Sequence, residues 1–168
     1  MEVQLHACPW FEITLKGERP MPERKTLERA ARDKREGKSP STQAGEFVRE
    51  EMDHIREGKH GARSAKQAIA IGLSKARRAG VALKPPKRGT TSAATRHSAQ
   101  LVTERSHSGA QPNPTRSQAS ERALRREGST AASKTALARQ TRASARKRGH
   151  ADLSMAAKKA ARTRSRSR

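Results

Sequence analysis

The second half of the chain is strongly basic and has almost none of the residues that build a core. Residues 84–168 contain 21 Lys and Arg against four acidic residues, a net charge of +17, and no Phe, Trp or Tyr. Ordering a backbone costs roughly 1–2 kcal/mol per residue, and so little apolar surface cannot offset that cost. The sequence therefore predicts that residues 84–168 form a disordered basic tail of low complexity. Such a tail can still bind a polyanion, because each Lys or Arg that reaches a phosphate releases counterions.

The composition of the whole chain points to nucleic acid as the partner. The 168 residues carry a net charge of +22 and give an isoelectric point of about 11.6. This excess of positive charge favours an anionic partner, DNA first and RNA second. No stretch approaches the ~20 apolar residues that span a bilayer, so no membrane partner is expected. The single cysteine, Cys8, cannot form an internal disulfide and is typical of a reducing compartment.

Residues 1–20 differ in character from everything that follows. They contain Cys8, Trp10 and Phe11, and their net charge is −1. The composition becomes basic and polar at Met21, so one interpretation is that Met21 is the natural start and that residues 1–20 come from an upstream misreading of the gene. The other is that residues 1–20 are a genuine flexible extension. Both interpretations stay open at this point.

Residues 21–38 are expected to form a polar helix and a link, with the helix over residues 22–37. Pro22 suits a first helical turn. Opposite charges at four-residue spacing, on Arg24, Glu28 and Arg32, place stabilising pairs along one face. Gly37 is expected to end this helix.

Residues 39–83 carry the clearest folding pattern, a helical hairpin with helices over 39–58 and 64–80. Apolar residues recur at steps of three and four in the first helix and form one stripe: Ala44, Phe47, Val48, Met52 and Ile55. Ser39 and Ser64 are predicted helix caps, and Gly58 and Gly80 predicted helix ends.

The second helix of the hairpin presents mostly small residues to the first. Gly72 lies in the middle of this stripe, and glycine in a helix costs about 1 kcal/mol, so a close helix crossing is expected there. A unit of this size rarely folds alone, which favours self-association through the hairpin. The predicted fold class is therefore mainly α with extensive disorder.

The titratable residues show no pattern of a catalytic or metal site. The six histidines lack metal-ligand spacing and Cys8 has no second thiol nearby. Glu50, Glu51 and Asp53 are interpreted as a solvated face of the first hairpin helix rather than as catalytic carboxylates. No phosphate-binding loop or dinucleotide fingerprint is present. The sequence predicts no enzyme, no cofactor and no metal ion.

The link of the hairpin is the most specific candidate for phosphate binding. It places Lys59, Arg63 and Lys66 beside the N-terminus of the second helix, where free N–H groups and the helix dipole attract anions. The alternative is an ordinary capped turn whose charges face water. The residues expected to bind nucleic acid lie in the link, in the last turns of the second helix and in the tail: Lys59, Arg63, Ser64, Lys66, Lys75, Arg77, Arg78, Arg125, Arg126, Arg139, Arg142, Arg146, Lys147, Arg148, Lys158, Lys159, Arg162 and Arg164.

The run at residues 40–80 reads PSTQAGEFVREEMDHIREGKHGARSAKQAIAIGLSKARRAG. It resembles a family of small basic bacterial proteins of unknown function that are often labelled DNA-binding or plasmid-stabilisation proteins. The resemblance covers about residues 21–88, and the AAKKAARTR run at 156–164 is similar to the basic end of that family. It implies no catalytic residues. Residues 1–20 do not fit the pattern, which favours the Met21 start.

Charge, pattern and resemblance together predict largely sequence-independent DNA binding by a bacterial cytoplasmic protein of the nucleoid or of a plasmid. The tail would supply most of the affinity. Two alternatives stay open: an RNA- or ribosome-associated basic protein, and a protein–protein adaptor in which the apolar stripe of the hairpin docks a partner helix.

Overall fold

The computed structural model describes residues 22–108 and 113–166, and within these ranges every regular element is helical. The prediction of a mainly α fold is confirmed. The N-terminal segment 1–20 lies outside the described residues. The helices, numbered in chain order, are α1 (Arg24–Arg35), α2 (Pro40–Arg56), α3 (Ala65–Arg78), α4 (Ala93–Ser108), α5 (Pro114–Arg125) and α6 (Lys134–Arg166), with a short 3₁₀ turn at Thr130–Ala132 before α6.

Helices α2 and α3 begin where the sequence signals place them, whereas α1 begins at Arg24, after Pro22, and has no side-chain cap at Glu23. Ser39 Oγ accepts a hydrogen bond from the Thr42 N–H at the start of α2, and Ser64 Oγ accepts one from the Gln67 N–H at the start of α3. Just beyond the helix ends, Gly37, Gly58 and Gly80 have φ values of 70°, 74° and 82°. Only glycine adopts this left-handed conformation without steric cost, so these residues fix where the chain turns.

Helices α2 and α3 pack against one another most closely at Gly72. A Cβ atom built on Gly72 would lie only 2.7 Å from the Val48 Cα and 3.0 Å from the Val48 Cγ2. The absence of a side chain at Gly72 therefore lets the two backbones approach, as its place in the small-residue stripe predicts.

Two apolar clusters lie on either side of this contact. One joins Phe47 of α2 to Ala30 of α1, Ala76 of α3 and Val81. The other joins Met52 and Ile55 of α2 to Ala62, Ala68 and a later part of the chain. Because α1 and that later part cover the stripe of α2, the α2–α3 pair is not a free-standing unit within the described structure.

The disordered tail is not confirmed, because the described residues after 84 are largely helical. Their composition explains the helices: Ala, Leu, Arg, Lys and Gln are the strongest helix formers. Side-chain caps start them as well, since Asn113 Oδ1 accepts from the Arg116 N–H and Ser133 Oγ accepts from the Ala136 N–H. The sequence argument for disorder considered the missing core but not these local signals.

The second half of the chain is also anchored to the first. Ala131 and Ala132 are buried against Met52 and Ile55, and Leu137 of α6 packs beside them. Arg56 Nε donates to the Ala132 carbonyl at 3.2 Å. The predicted boundary at residue 84 therefore does not separate a folded module from a tail.

Helix α6 consists of two helical stretches that meet at Gly149, whose φ of 74° and ψ of 167° are not helical. Leu153 and Met155, in the second stretch, are exposed. Among the described residues, no helix has both the length and the apolar content to cross a membrane.

Candidate nucleic-acid interface

A groove lies where the start of α3 meets the start of α6. It has a volume of about 460 Å³. Arg63, Ser64 and Lys66 line it from the α3 side. Ser133, Arg139 and Gln140 line it from the α6 side. The fold thus brings together cations that lie far apart in the sequence, in the link and in the predicted tail.

Two helix N-termini open towards this groove. Ser64 caps α3 with a 3.2 Å contact from the Gln67 N–H, and Ser133 caps α6 with a 3.2 Å contact from the Ala136 N–H. The remaining free N–H groups and the positive ends of the two helix dipoles favour a bound anion. A phosphate in the groove would meet these N–H groups and the flanking side chains of Arg63, Lys66 and Arg139 together.

The groove continues into a basic face of α6. A shallow depression along this helix is lined by Lys134, Arg139, Arg142 and Arg146. Steps of three and four residues keep Arg139, Arg142 and Arg146 on the same side of the helix, and Lys134 lies about one turn and a half before them. All four are exposed, and Arg139, Arg142 and Arg146 form one row of cations that a partner can reach.

Arg63 is held only by an exposed ionic contact, which leaves it available to a phosphate. Its Nε lies 3.5 Å from Glu127 Oε1, and its side chain is 81% exposed. Exposed ion pairs contribute about 0–1 kcal/mol. A phosphate can therefore compete with Glu127 for this guanidinium.

The remaining predicted cations of α5 and α6 are exposed but spread more widely. Arg125 pairs with Glu121 at 2.6 Å, and Arg126 follows it at the surface. Arg164 donates from Nε to the Ala160 carbonyl at 3.4 Å. The others are exposed residues on both sides of the Gly149 kink: Lys147, Arg148, Lys158, Lys159 and Arg162.

Two predicted phosphate contacts, Lys75 and Arg77, are wrong because both residues are buried. Lys75 Nζ lies 2.7 Å from Glu51 Oε2 and 3.6 Å from Glu50 Oε1, inside the protein. Burial lowers the pKa of Arg77, whose Nη1 donates to the Leu73 carbonyl at 3.5 Å. Their neighbour Arg78 is exposed. The rule that cations favour the last turn of a helix does not tell which of them face inward.

The first half of the link turns away from the groove. Lys59 Nζ contacts Glu23 Oε1 at 3.1 Å and Glu57 Oε2 at 3.0 Å, and hydrogen bonds to these two carboxylates raise the pKa of Lys59. His60 Nε2 lies 3.3 Å from Glu51 Oε1. Only part of the predicted phosphate site therefore lies at the groove. Arg63, Ser64 and Lys66 line the groove, whereas Lys59 and His60 contact carboxylates.

The prediction that Glu50 and Glu51 form a solvated helix face is also wrong. Both residues are buried, Glu51 completely, because α1, α3 and the 57–64 link surround this side of α2. Glu50 Oε2 accepts a hydrogen bond from the Glu23 N–H, and both carboxylates contact Lys75. Asp53 alone of these three acids lies at the surface, where it pairs with Arg56 at 3.0 Å.

Sequence reasoning missed three residues of the groove, Thr130, Ser133 and Gln140, and Lys134 of the basic face of α6. A signal was present, since Ser133 directly precedes a run of Ala, Leu and Arg, which is the pattern of a capped helix start. The docking of Ala131 and Ala132 that brings this helix to α3 has no sequence signature, because alanine fits both cores and surfaces.

Comparison of the chain with protein-family models, with curated proteins and with solved structures found no match in any of the three.

Proposed function

We propose that the protein binds nucleic acid, duplex DNA in the first place, and that the groove and the basic face of α6 make the phosphate contacts. The observation that carries this proposal is the meeting of Arg63, Lys66 and Arg139 at two helix N-termini, continued by a row of exposed cations. Binding would be largely independent of sequence, because phosphate contacts position a protein without reading bases.

The dimensions of the basic face suit a phosphate backbone. At 1.5 Å per residue, Arg139 and Arg146 lie about 10 Å apart along α6, which is the rise along the B-DNA axis of about three phosphate steps of one strand. The groove supplies a further anchor at one end of this row. We further propose a location in the bacterial cytoplasm, at the nucleoid or on a plasmid, which rests on DNA binding and on the resemblance of residues 21–88 to small basic bacterial proteins.

Duplex DNA is preferred over single-stranded RNA because the described residues offer no aromatic platform for stacking bases. Their one aromatic ring of the Phe, Trp or Tyr type is Phe47, which is buried. Recognition of single strands relies on such rings. We favour DNA binding over the adaptor hypothesis as well, because α1 and residues 131–137 pack against the apolar stripe of α2.

The test compares two triple variants of α6 that remove the same charge. The first removes the row beside the groove and is Arg139→Ala, Arg142→Ala and Arg146→Ala. Affinity for a 30-bp duplex is measured by fluorescence anisotropy between 50 and 200 mM salt. We expect weaker binding and a salt dependence whose logarithmic slope falls by about 0.9 for each phosphate that the variant no longer neutralises.

The matched control removes three cations beyond the Gly149 kink and is Lys158→Ala, Lys159→Ala and Arg162→Ala. We expect this variant to bind with an affinity much closer to that of the wild type. Equal weakening in the two variants would show that net charge alone sets the binding, and the groove would have no special role. Competition between the duplex and a structured RNA of equal length decides the partner, since a preference for RNA would support the ribosome-associated alternative.

A further inference from the structure

A cluster of one buried glutamate and two partly buried histidines lies at the C-terminal end of α2. Glu51 and His54 are one helical turn apart, and His60 returns to them after the chain reverses at Gly58. One ring nitrogen of each histidine and one carboxylate oxygen of Glu51 lie within 4.8 Å of one another. The two imidazole rings stand edge to face, with their centroids 6.2 Å apart.

The hydrogen-bond partners of His60 determine which of its nitrogens carries the lone pair. Its Nδ1 lies 3.2 Å from the Gly61 carbonyl oxygen, which can only accept, so Nδ1 carries the proton. In the neutral ring the lone pair is then on Nε2, which lies 3.3 Å from Glu51 Oε1. Two acceptors that face each other at this distance repel, unless a cation or a proton lies between them.

A hydrogen-bond partner fixes the ring of His54 as well. Its Nε2 lies 2.8 Å from Glu23 Oε1. A carboxylate oxygen accepts hydrogen bonds, so His54 donates from Nε2 to Glu23 and its lone pair is then on Nδ1. Metal-binding histidines almost always donate one N–H to a carboxylate or a carbonyl, which fixes the ring and its tautomer. Both histidines of this cluster have such a partner.

The electrostatics of the cluster call for an additional positive charge. Glu50 and Glu51 are both buried, and both contact the buried cation Lys75. Lys75 pairs with Oε2 of the fully buried Glu51 side chain, whereas Oε1, which lies beside His60, accepts no hydrogen bond of good geometry from a described residue. Buried charges are normally paired or coordinate a metal, so Glu51 is incompletely satisfied on the side that faces the histidines.

We propose that Glu51, His54 and His60 bind one divalent transition-metal ion of the zinc class, with Glu23 as the positioning residue behind His54. Imidazole and carboxylate are ligands that zinc accepts in this ratio. Tetrahedral bonds of about 2.0–2.2 Å place ligand atoms about 3.3 Å apart, which is the separation of Glu51 Oε1 and His60 Nε2. A proton on His60 would also satisfy that pair, and the experiment below distinguishes it from a metal ion.

Three protein ligands leave one position of a tetrahedral ion for water. The side chains of His54 and His60 are 13% and 14% exposed, so an ion can enter from the side of the link. The ion would join the end of α2 to the link and, through Glu23, to the start of α1. The sequence signal for this site was the Glu-x-x-His spacing of residues 51 and 54, which places two ligands on one helix face.

The experiment uses the full-length, untagged protein carrying Cys8→Ser, because a thiol is itself a strong ligand for zinc. After treatment with a chelator, Co²⁺ is added as a spectroscopic probe, followed by displacement with Zn²⁺. We expect one equivalent to bind with the intense visible bands of tetrahedral coordination. The ring ¹⁵N resonances of two histidines should shift with Zn²⁺, and substitution should assign them to His54 and His60.

A matched pair of variants tests which histidines are the ligands. His54→Gln with His60→Gln should abolish the tetrahedral spectrum, whereas His97→Gln with His150→Gln, at two exposed positions, should leave it unchanged. Glu23→Gln should weaken binding by about 10–100-fold while the tetrahedral spectrum persists, as expected for an outer partner.

Three results would overturn the proposal. One is the absence of metal binding to the folded wild-type chain. Another is equal binding by the two histidine variants. The last is a His60 ring that carries protons on both nitrogens and does not change with Zn²⁺, which would show that a proton occupies the position assigned to the metal. The resonances of the wild-type chain decide the question even where a variant fails to fold.

Discussion

Replacing Gly72 by alanine tests the packing of α2 on α3 at its closest point. In an exposed helix interior this substitution stabilises a protein by about 1 kcal/mol, because glycine has the greater backbone entropy to lose. At Gly72 the new Cβ would meet the Val48 Cα at 2.7 Å and the Val48 N and Cγ2 at 3.0 Å. Two of these three atoms belong to the backbone, so no rotamer change relieves the clash and the helices must separate.

The size of the effect follows from two opposing contributions. Overpacking a close contact costs typically 1–3 kcal/mol, and a clash with backbone lies at the upper end of that range. Subtracting the gain in helix propensity leaves a net destabilisation of about 2 kcal/mol. In a chain of this length that corresponds to a melting temperature lower by roughly 4–8 °C.

Thermal and urea unfolding followed by circular dichroism measure this change. The matched control is Gly45→Ala, since Gly45 is exposed in the interior of α2 and a Cβ there would meet no other atom within 4 Å. We expect this control to raise stability by about 0.5–1 kcal/mol. If the Gly72 and Gly45 variants were both stabilised, the close approach of α2 and α3 would be refuted.

Three further predictions concern other parts of the fold. Phe47→Ala should lower the free energy of unfolding by about 3–5 kcal/mol, because Phe47 is buried, whereas Leu153→Ala, at an exposed position, should change it by less than about 0.5 kcal/mol. Glu23 has a pKa lowered from 4.5 to about 2, so its stabilising contribution is present above about pH 4.5 and is lost as the pH falls towards 2. In unfolding titrations the difference between wild type and Glu23→Gln should therefore shrink over that window, and a constant difference would contradict the contact with His54. Ser133→Ala removes the cap of α6 and should cost about 1 kcal/mol, with faster amide exchange confined to the first turn of that helix; unchanged exchange would show that the cap contributes nothing.

The sequence predicted the helices of residues 22–80 well because each carries a local signal. The stripe of Phe47, Met52 and Ile55 marks the buried face of α2, and Gly58 and Gly80 mark where helices end. These signals depend only on neighbours along the chain. The burial of Glu51 and Lys75 depends instead on what packs across from them, and no periodicity distinguishes an inward lysine from an outward one.

The candidate interface was predictable residue by residue but not as a site. Arg63 and Lys66 stand at a recognisable helix start, and Arg139 stands in a recognisable basic run. These residues come together only because Ala131 and Ala132 pack on α2, and no sequence pattern predicts that packing. We predicted disorder because the segment is basic and lacks aromatic residues. That argument overlooked alanine, whose small side chain makes this contact.

The packing of Ala131 and Ala132 on α2 has a consequence for the synthesis of the protein. Arg56 binds the carbonyl of Ala132 across 76 residues of chain. At a synthesis rate of about 5–20 residues per second, roughly 4–15 s pass between their appearance. Throughout that interval Met52 and Ile55 lack the alanines that cover them. A chain whose translation stalls before Ala132 would leave this apolar face uncovered, and transiently exposed apolar surface of this kind favours aggregation and binding by chaperones.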